Sequence, residues 1–256
     1  VALLSLSRAE WLEEYLDYRA GEHVVIVEPT GGGKTWLMYQ MLQAAMRDHP
    51  ELSPVAFMPK AADPSTAQWA RALGLRETPV WPPRRKLPEM LSPKPAGHVL
   101  WPHHRMDLAP DERREEVGKV LRAGLDWQYK TGNTISLIDD AHSAATMMGL
   151  NSYIEEILVN GRAGGSAAWL SLQKPSGTVN SGGITSFAYS SPTHYLFGKD
   201  TEERNLKRLT EIGGGIDPKR IENIIRGLRL YRIGQNTVSQ KLYIDKRGPY
   251  MALIGP

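Results

Sequence analysis

The 256-residue chain carries 31 Lys and Arg against 28 Asp and Glu, a formal charge of +3, and no cysteine. With 41% hydrophobic and 23% charged residues it can bury a core, which excludes a disordered or collagen-like chain. The lack of cysteine excludes a disulfide framework, a thiolate zinc site, an iron–sulfur cluster and a cysteine nucleophile, and it fits a reducing compartment. No apolar run reaches the ~18–20 residues of a membrane span, and the opening Val1 to Leu6 is too short for a signal-peptide core. The small net charge leaves nucleic-acid binding open but requires any basic footprint to be local.

In chain order, Ser7 and Glu10 have capping-box spacing, opening a helix with Trp11, Leu12, Tyr15 and Leu16 on its apolar face and Gly21 at its end. His23–Val27 is a β-branched run without alternation, the pattern of a strand buried on both faces. After three glycines, Leu37, Met38, Met41, Leu42 and Ala45 recur at helical spacing until Asp48 and Pro50. A second strand is predicted over Val55–Met58, and a helix starting at Asp63 carries Trp69 and Leu73. Residues 76–97 hold Pro82, Pro83, Pro88, Pro93 and Pro95 and read as a surface excursion. A strand over His98–Trp101 follows. Pro110, Asp111 and Glu112 start a helix that runs to Lys130, with Gly132 as its cap.

Further strands are predicted over Thr134–Ile138, Ala167–Leu172 and Thr193–Phe197, with helical segments between Ile138 and about Gly161. Residues 201–227 read as helical, interrupted at Gly213–Gly215 and restarted at Asp217 and Pro218; Leu228 to Ile254 reads as a terminal antiparallel ribbon. Strands alternating with helices imply a mainly parallel α/β sheet.

The chemistry concentrates at the ends of three of these strands. Thr30, Gly31, Gly32, Gly33, Lys34 and Thr35 lie between the first buried strand and the helix after it, the context of a phosphate loop. Successive backbone N–H groups would surround an anion there, with the helix N-terminus adding partial positive charge. Lys34 would reach the β- and γ-phosphates of ATP, and the Thr35 hydroxyl would ligate Mg²⁺. Glu28 stands where the motif has its first glycine. Asp139 and Asp140 follow the apolar strand ending at Ile138, at the tip where open α/β sheets bind ligands. Asp139 would hold Mg²⁺ and Asp140 would polarise the attacking water, unless Asp140 serves as a helix N-cap. Gln173 ends the Trp169–Leu172 strand, where its amide would sense the γ-phosphate. The expected fold is an α/β P-loop NTPase with a mainly parallel sheet flanked by helices, ending in a short antiparallel ribbon. One motor domain is expected over 1–256: an N-terminal helical segment (1–21), a nucleotide-binding core (22–200) and C-terminal helices and strands (201–256).

The stretch from Asn160 to Ser176, with Arg162, Gly165 and the run Gln173, Lys174, Pro175, Ser176, resembles the FtsK/HerA family of DNA-pumping ATPases. There an Arg-x-x-Gly segment leads into a strand ending Gln-Arg-Pro-Ser; Lys174 replaces the usual Arg. The likeness covers roughly residues 22–253, extending loosely through Ile184–Thr193, Gly227–Tyr231 and Arg247–Tyr250. It implies a homo-oligomeric ring, hexameric or pentameric, with ATP between subunits and Arg162 as the finger that reaches the neighbour's γ-phosphate. Arg204 and Arg208 are rivals for that role. It also implies double-stranded DNA as the partner.

Residues 160–199 contain no Asp or Glu. Within them the hydroxyl- and glycine-rich loop 174–186 is expected to contact the DNA backbone through Lys174, Ser176 and Thr178. Arg84–Lys86 and the His103, His104, Arg105 trio read as structural or solvated. Family relatives divide chromosomes, transfer plasmids or package viral genomes. The compact length leans towards packaging or mobile-element transfer in the cytoplasm, of a host cell if viral, with a portal or membrane protein as docking partner. Two rivals stay open: an ATP-binding scaffold that scarcely hydrolyses, with Glu28 and Asp140 as its support, and a P-loop kinase.

Overall fold

The computed structural model describes residues 3–83, 95–175, 184–212, 216–234, 236–248 and 250–256. Among these, twelve strands form: β1 (Leu3–Leu6), β2 (Val24–Val27), β3 (Ser53–Phe57), β4 (Leu75–Thr78), β5 (Gly97–Leu100), β6 (Thr134–Ile138), β7 (Ser166–Leu172), β8 (His194–Phe197), β9 (Leu230–Ile233), β10 (Asn236–Ser239), β11 (Lys241–Asp245) and β12 (Tyr250–Ile254). Ten make one sheet in the order β1-β12-β11-β8-β2-β7-β6-β3-β5-β4, and β9 and β10 pair as a separate hairpin. From β8 to β4 all neighbours are parallel. β11 is antiparallel to both β8 and β12, and β1 is parallel to β12.

The helices are α1 (Arg8–Glu10), which continues as a π-helical turn over Trp11–Tyr15, α2 (Lys34–Asp48), α3 (Pro64–Ala72), α4 (Pro110–Thr131), α5 (Ala141–Met147), α6 (Asn151–Asn160), α7 (Phe187–Ser190), α8 (Glu203–Ile212) and α9 (Pro218–Gly227). Their starts follow local chemistry. Ser7 and Glu10 form the reciprocal capping box, and the Asp63 carboxylate accepts from the Ser65 and Thr66 N–H groups. Asp217 caps α9 from just before Pro218.

Both faces of the sheet are covered, and alternation along β2 shows how. Val25 and Val27 join a core with Leu121 and Leu125 of α4, Ile154 and Ile157 of α6 and Ile221 of α9. Val24 and Ile26 face the other way, with Trp11, Leu37, Met41 and Ala70. A strand with helices on both sides has no solvent face to mark, hence the unbroken apolar run in its sequence.

The structure departs from the sequence reading at four places. Leu3–Leu6, placed by the sequence reading within the N-terminal helical segment 1–21, is an edge strand paired with β12. The first helix ends at Tyr15 rather than Gly21: the Leu16 N–H bonds the Trp11 carbonyl at 2.8 Å, and Trp11 is buried edge-on to Tyr243, ring centroids 5.0 Å apart. The start of the proline-rich excursion forms β4, paired with β5; its later part, with Arg84–Lys86, lies outside the described residues. Finally, the terminal ribbon is divided. β11 and β12 enter the main sheet and only β9 and β10 stand apart, because Leu242, Tyr243, Ile244 and Met251 are all buried.

Candidate functional site

β2, β7 and β6 are adjacent and parallel, so the segments after Val27, Leu172 and Ile138 leave the sheet at the same edge. Register sets the finer match. Val27 pairs with Leu172 and Ile138 with Leu170, which puts Asp139 level with Ser171. The Ser171 hydroxyl accordingly donates to Asp139 Oδ1 at 2.7 Å. The Thr35 hydroxyl donates to Asp139 Oδ2, also at 2.7 Å. One buried carboxylate is thus held between β7 and the first turn of α2, and its backbone neighbour, the Asp140 N–H, adds a third bond at 3.1 Å.

The glycine loop has separate reasons for its residues. Gly31 and Gly33 have φ of +88° and +91°, a region costly for side-chain-bearing residues. Gly32 is required by space: a Cβ there would overlap the Glu28 carboxylate. Lys34 is nearly buried and its ammonium donates to the Glu28 and Pro29 carbonyls at 2.7 and 3.0 Å. Burial lowers its pKa, against the opposing pull of Glu28, Asp139 and Asp140.

Asp140 occupies the N-cap position of α5 but makes no capping bond. Its φ of 57° is left-handed, uncommon for any residue but glycine and best tolerated by Asn and Asp. The carboxylate is therefore not used on the helix end; it lines a cavity of about 690 Å³ together with Thr30, Gly31, Gly33, Lys34, Thr35, Asp139 and Gln173. Gly32 lines a second cavity of about 620 Å³, with Glu28 and Lys199, that shares Thr30 and Gly31 with the first.

The same cavity contains residues that the sequence did not single out. Ser171 is one, with no signal beyond its place two residues before Gln173. Trp36, Lys60, Gln68 and Trp69 form one wall, and Ile233 and Val238 of the β9–β10 hairpin another. Trp36 is braced by the buried Arg8 guanidinium, 4.6 Å from its ring centroid. The only pointer to Trp36 was its position directly after Thr35.

The donor set suits a polyphosphate: a glycine loop at a helix N-terminus with a lysine ammonium inside it. The Thr35 hydroxyl and the Asp139 carboxylate, with Asp140 nearby, are oxygen ligands of the number and kind Mg²⁺ takes from a protein when phosphates supply the rest. No helix among the described residues is long and apolar enough to cross a membrane.

Arg162 lies elsewhere. It sits in the 3₁₀ turn Gly161–Gly164 that precedes β7, at the sheet edge opposite Gln173 and separated from it by the seven residues of β7, roughly 20 Å of strand. Its side chain is 62% exposed and 3.8 Å from buried Glu22, so it does not enter the cavity of its own chain. Arg204 is exposed, and Arg208 pairs with Glu211 at 2.9 Å and packs over Tyr189. Lys174 is exposed directly after Gln173. Ser176 and Thr178 lie outside the described residues.

No protein-family model matches the chain, and neither does any curated protein. Solved structures do. The genome-packaging NTPase B204 of Sulfolobus turreted icosahedral virus 2, in complex with sulfate, superposes with a TM-score of 0.59 at 15% identity, covering 93% of this chain and 98% of that one. The DNA-packaging ATPase B204 of Sulfolobus turreted icosahedral virus gives 0.58 at 16% identity, over 93% and 99%. The B204 NTPase was also solved with AMP, AMPPCP and ATP-γS. The likeness establishes a shared fold along nearly the whole of both chains. It is the P-loop NTPase fold that the sequence led us to expect.

Proposed function

We propose that this chain is a Mg·ATP-hydrolysing motor of the FtsK/HerA type that moves double-stranded DNA as an oligomeric ring, in viral genome packaging or a related DNA transfer. The observation that carries this is the convergence of Lys34, Thr35, Asp139, Asp140 and Gln173 on one cavity. The fold shared with a genome-packaging NTPase supports it.

In this reading the loop N–H groups and Lys34 hold the β- and γ-phosphates, exchanging the loop carbonyls that Lys34 contacts for phosphate oxygens. Thr35 and Asp139 hold Mg²⁺, which neutralises charge on the phosphates. Asp140 orients the attacking water and takes its proton. The Gln173 amide donates to the γ-phosphate or to that water, so that the chain distinguishes ATP from ADP. Arg162, remote from its own site, reaches the site of a neighbouring subunit and stabilises the transferring phosphoryl group there. Lys174, with Ser176 and Thr178, contacts the DNA backbone, coupling the sensor strand to the track.

The test is the ATPase rate with and without double-stranded DNA, in wild type and Lys34→Ala. Turnover stimulated by DNA and lost in the variant is the expected result. Tight ATP binding with negligible hydrolysis would instead support a scaffold, and ATP consumption that depends on a phosphate acceptor would support a kinase.

A further inference from the structure

Glu28 occupies the position of the phosphate loop's first glycine, and its side chain turns inward, 2% exposed. Its Oε1 accepts from the Lys241 ammonium at 2.9 Å and from the Ser239 hydroxyl. Lys241 opens β11 and is 1% exposed. Besides Glu28 it donates to the carbonyls of Gly32, at 2.9 Å, and Ser239, at 2.8 Å. A lysine from the C-terminal part of the chain therefore lies directly beneath the glycine loop and grips one of its peptides.

The consequence follows from peptide geometry. In a planar trans peptide the C=O and the following N–H point in opposite directions. With the Gly32 carbonyl held inward by Lys241, the Gly33 N–H is turned to the opposite side. Gly33 lines the large cavity with Lys34 and Thr35, whereas Gly32 does not. A buried ion pair is weak evidence of stabilisation in itself, because the cost of desolvating both charges offsets most of the attraction. A third partner on the loop backbone gives this pair a role that two well-packed apolar residues could not fill.

We propose that Lys241 is a positioning residue of the phosphate loop: with Glu28 as its counter-ion it fixes the Gly32–Gly33 peptide so that the Gly33 N–H faces the bound phosphates. Glu28 and Lys241 together replace the loop-shaping glycine, and they tie nucleotide affinity to the seating of β10 and β11. The proposal rests on reading residues 28–35 as a phosphate loop.

The experiment measures the Kd of a fluorescent ATP analogue with Mg²⁺, and the thermal midpoint, for the full chain and its Lys34→Ala, Lys241→Met and Glu28→Gln/Lys241→Met variants. Lys241→Met is expected to raise the Kd by about tenfold or more, roughly the worth of one charge-assisted hydrogen bond, and to lower the midpoint, since it leaves the Glu28 carboxylate buried and unpaired. The double variant removes that charge. It is expected to recover the midpoint but not the affinity, because the Gly32 carbonyl still lacks its ammonium, and it answers the question even where Lys241→Met does not fold. A double variant that folds and binds with the wild-type Kd, while Lys34→Ala abolishes binding, overturns this proposal alone. Wild type that does not bind, or Lys34→Ala that binds as wild type does, overturns the phosphate-loop reading and the proposal with it.

Discussion

Asp139 and Asp140 are consecutive carboxylates with different surroundings. Asp139 is held by Thr35, Ser171 and the Asp140 N–H, a geometry suited to a fixed metal partner. Asp140 has a left-handed backbone, its carbonyl accepts from the Ala144 N–H at 3.1 Å, and its side chain makes no capping bond to that helix, which leaves the carboxylate free to take the water-activating role proposed for it. Asp140→Asn is expected to lower turnover by about 10²–10⁴-fold, the usual worth of a general base, with nucleotide affinity little changed. Steady-state kinetics beside a binding titration check this. A second residue-scale effect lies at the far edge of the sheet. Burial, assisted by the Arg162 charge, lowers the His23 pKa to about 4, and its Nδ1 accepts from the Ala168 N–H at 3.0 Å. The folded chain therefore keeps this imidazole neutral where the unfolded chain protonates it. The unfolded state binds more protons between the ordinary pKa of 6.5 and the lowered one, so stability falls as pH drops through that window, by an amount on the order of 3 kcal/mol in full. Urea unfolding from pH 7 to 4 should show the slope, and His23→Asn, which keeps an acceptor near Nδ1, should flatten it.

At the scale of elements, the sequence was most legible where local chemistry and tertiary demand agreed. Thr134–Ile138 is a strand with the bounds its apolar run suggested, and α2 stops at Asp48 before His49 and Pro50. Short edge elements were not legible. β1 and β4 are four residues each, too short for periodicity, and become strands only because β12 and β5 offer them a partner. Leu121 illustrates the buried layer beneath the site: it is fully buried on α4, in the cluster that holds Ile138 at the end of β6. Leu121→Ala is expected to cost about 2–5 kcal/mol, measured by denaturant unfolding, with loss of site geometry secondary to that loss of stability.

For the whole molecule, the decisive fact is that Gln173 and Arg162 sit at opposite ends of one strand. A residue at one edge of the sheet cannot serve a cavity at the other, so a catalytic role for Arg162 requires a second subunit. Mixing provides the check. Lys34→Ala and Arg162→Ala chains, each inactive alone, should together regain turnover, because some interfaces then combine an intact loop with an intact arginine. A mixture that stays inactive argues against Arg162 as the residue acting across the interface.

That the glycine loop, the acids after β6 and the amide after β7 would meet at one cavity was readable from sequence because each is a short motif set by residue type and by the strand before it. The +3 charge said little, because a whole-chain sum hides local separation: the stretch 160–199 has Arg162, Lys174 and Lys199 and no acid, while Asp139 and Asp140 stand together elsewhere along the chain. Only the tertiary structure set Ser171 beside Asp139, since that depends on strand register. Only it showed why Glu28 is tolerated: the ammonium that compensates its carboxylate is 213 residues away in sequence, and no local pattern carries a contact made by chain reversal through the sheet.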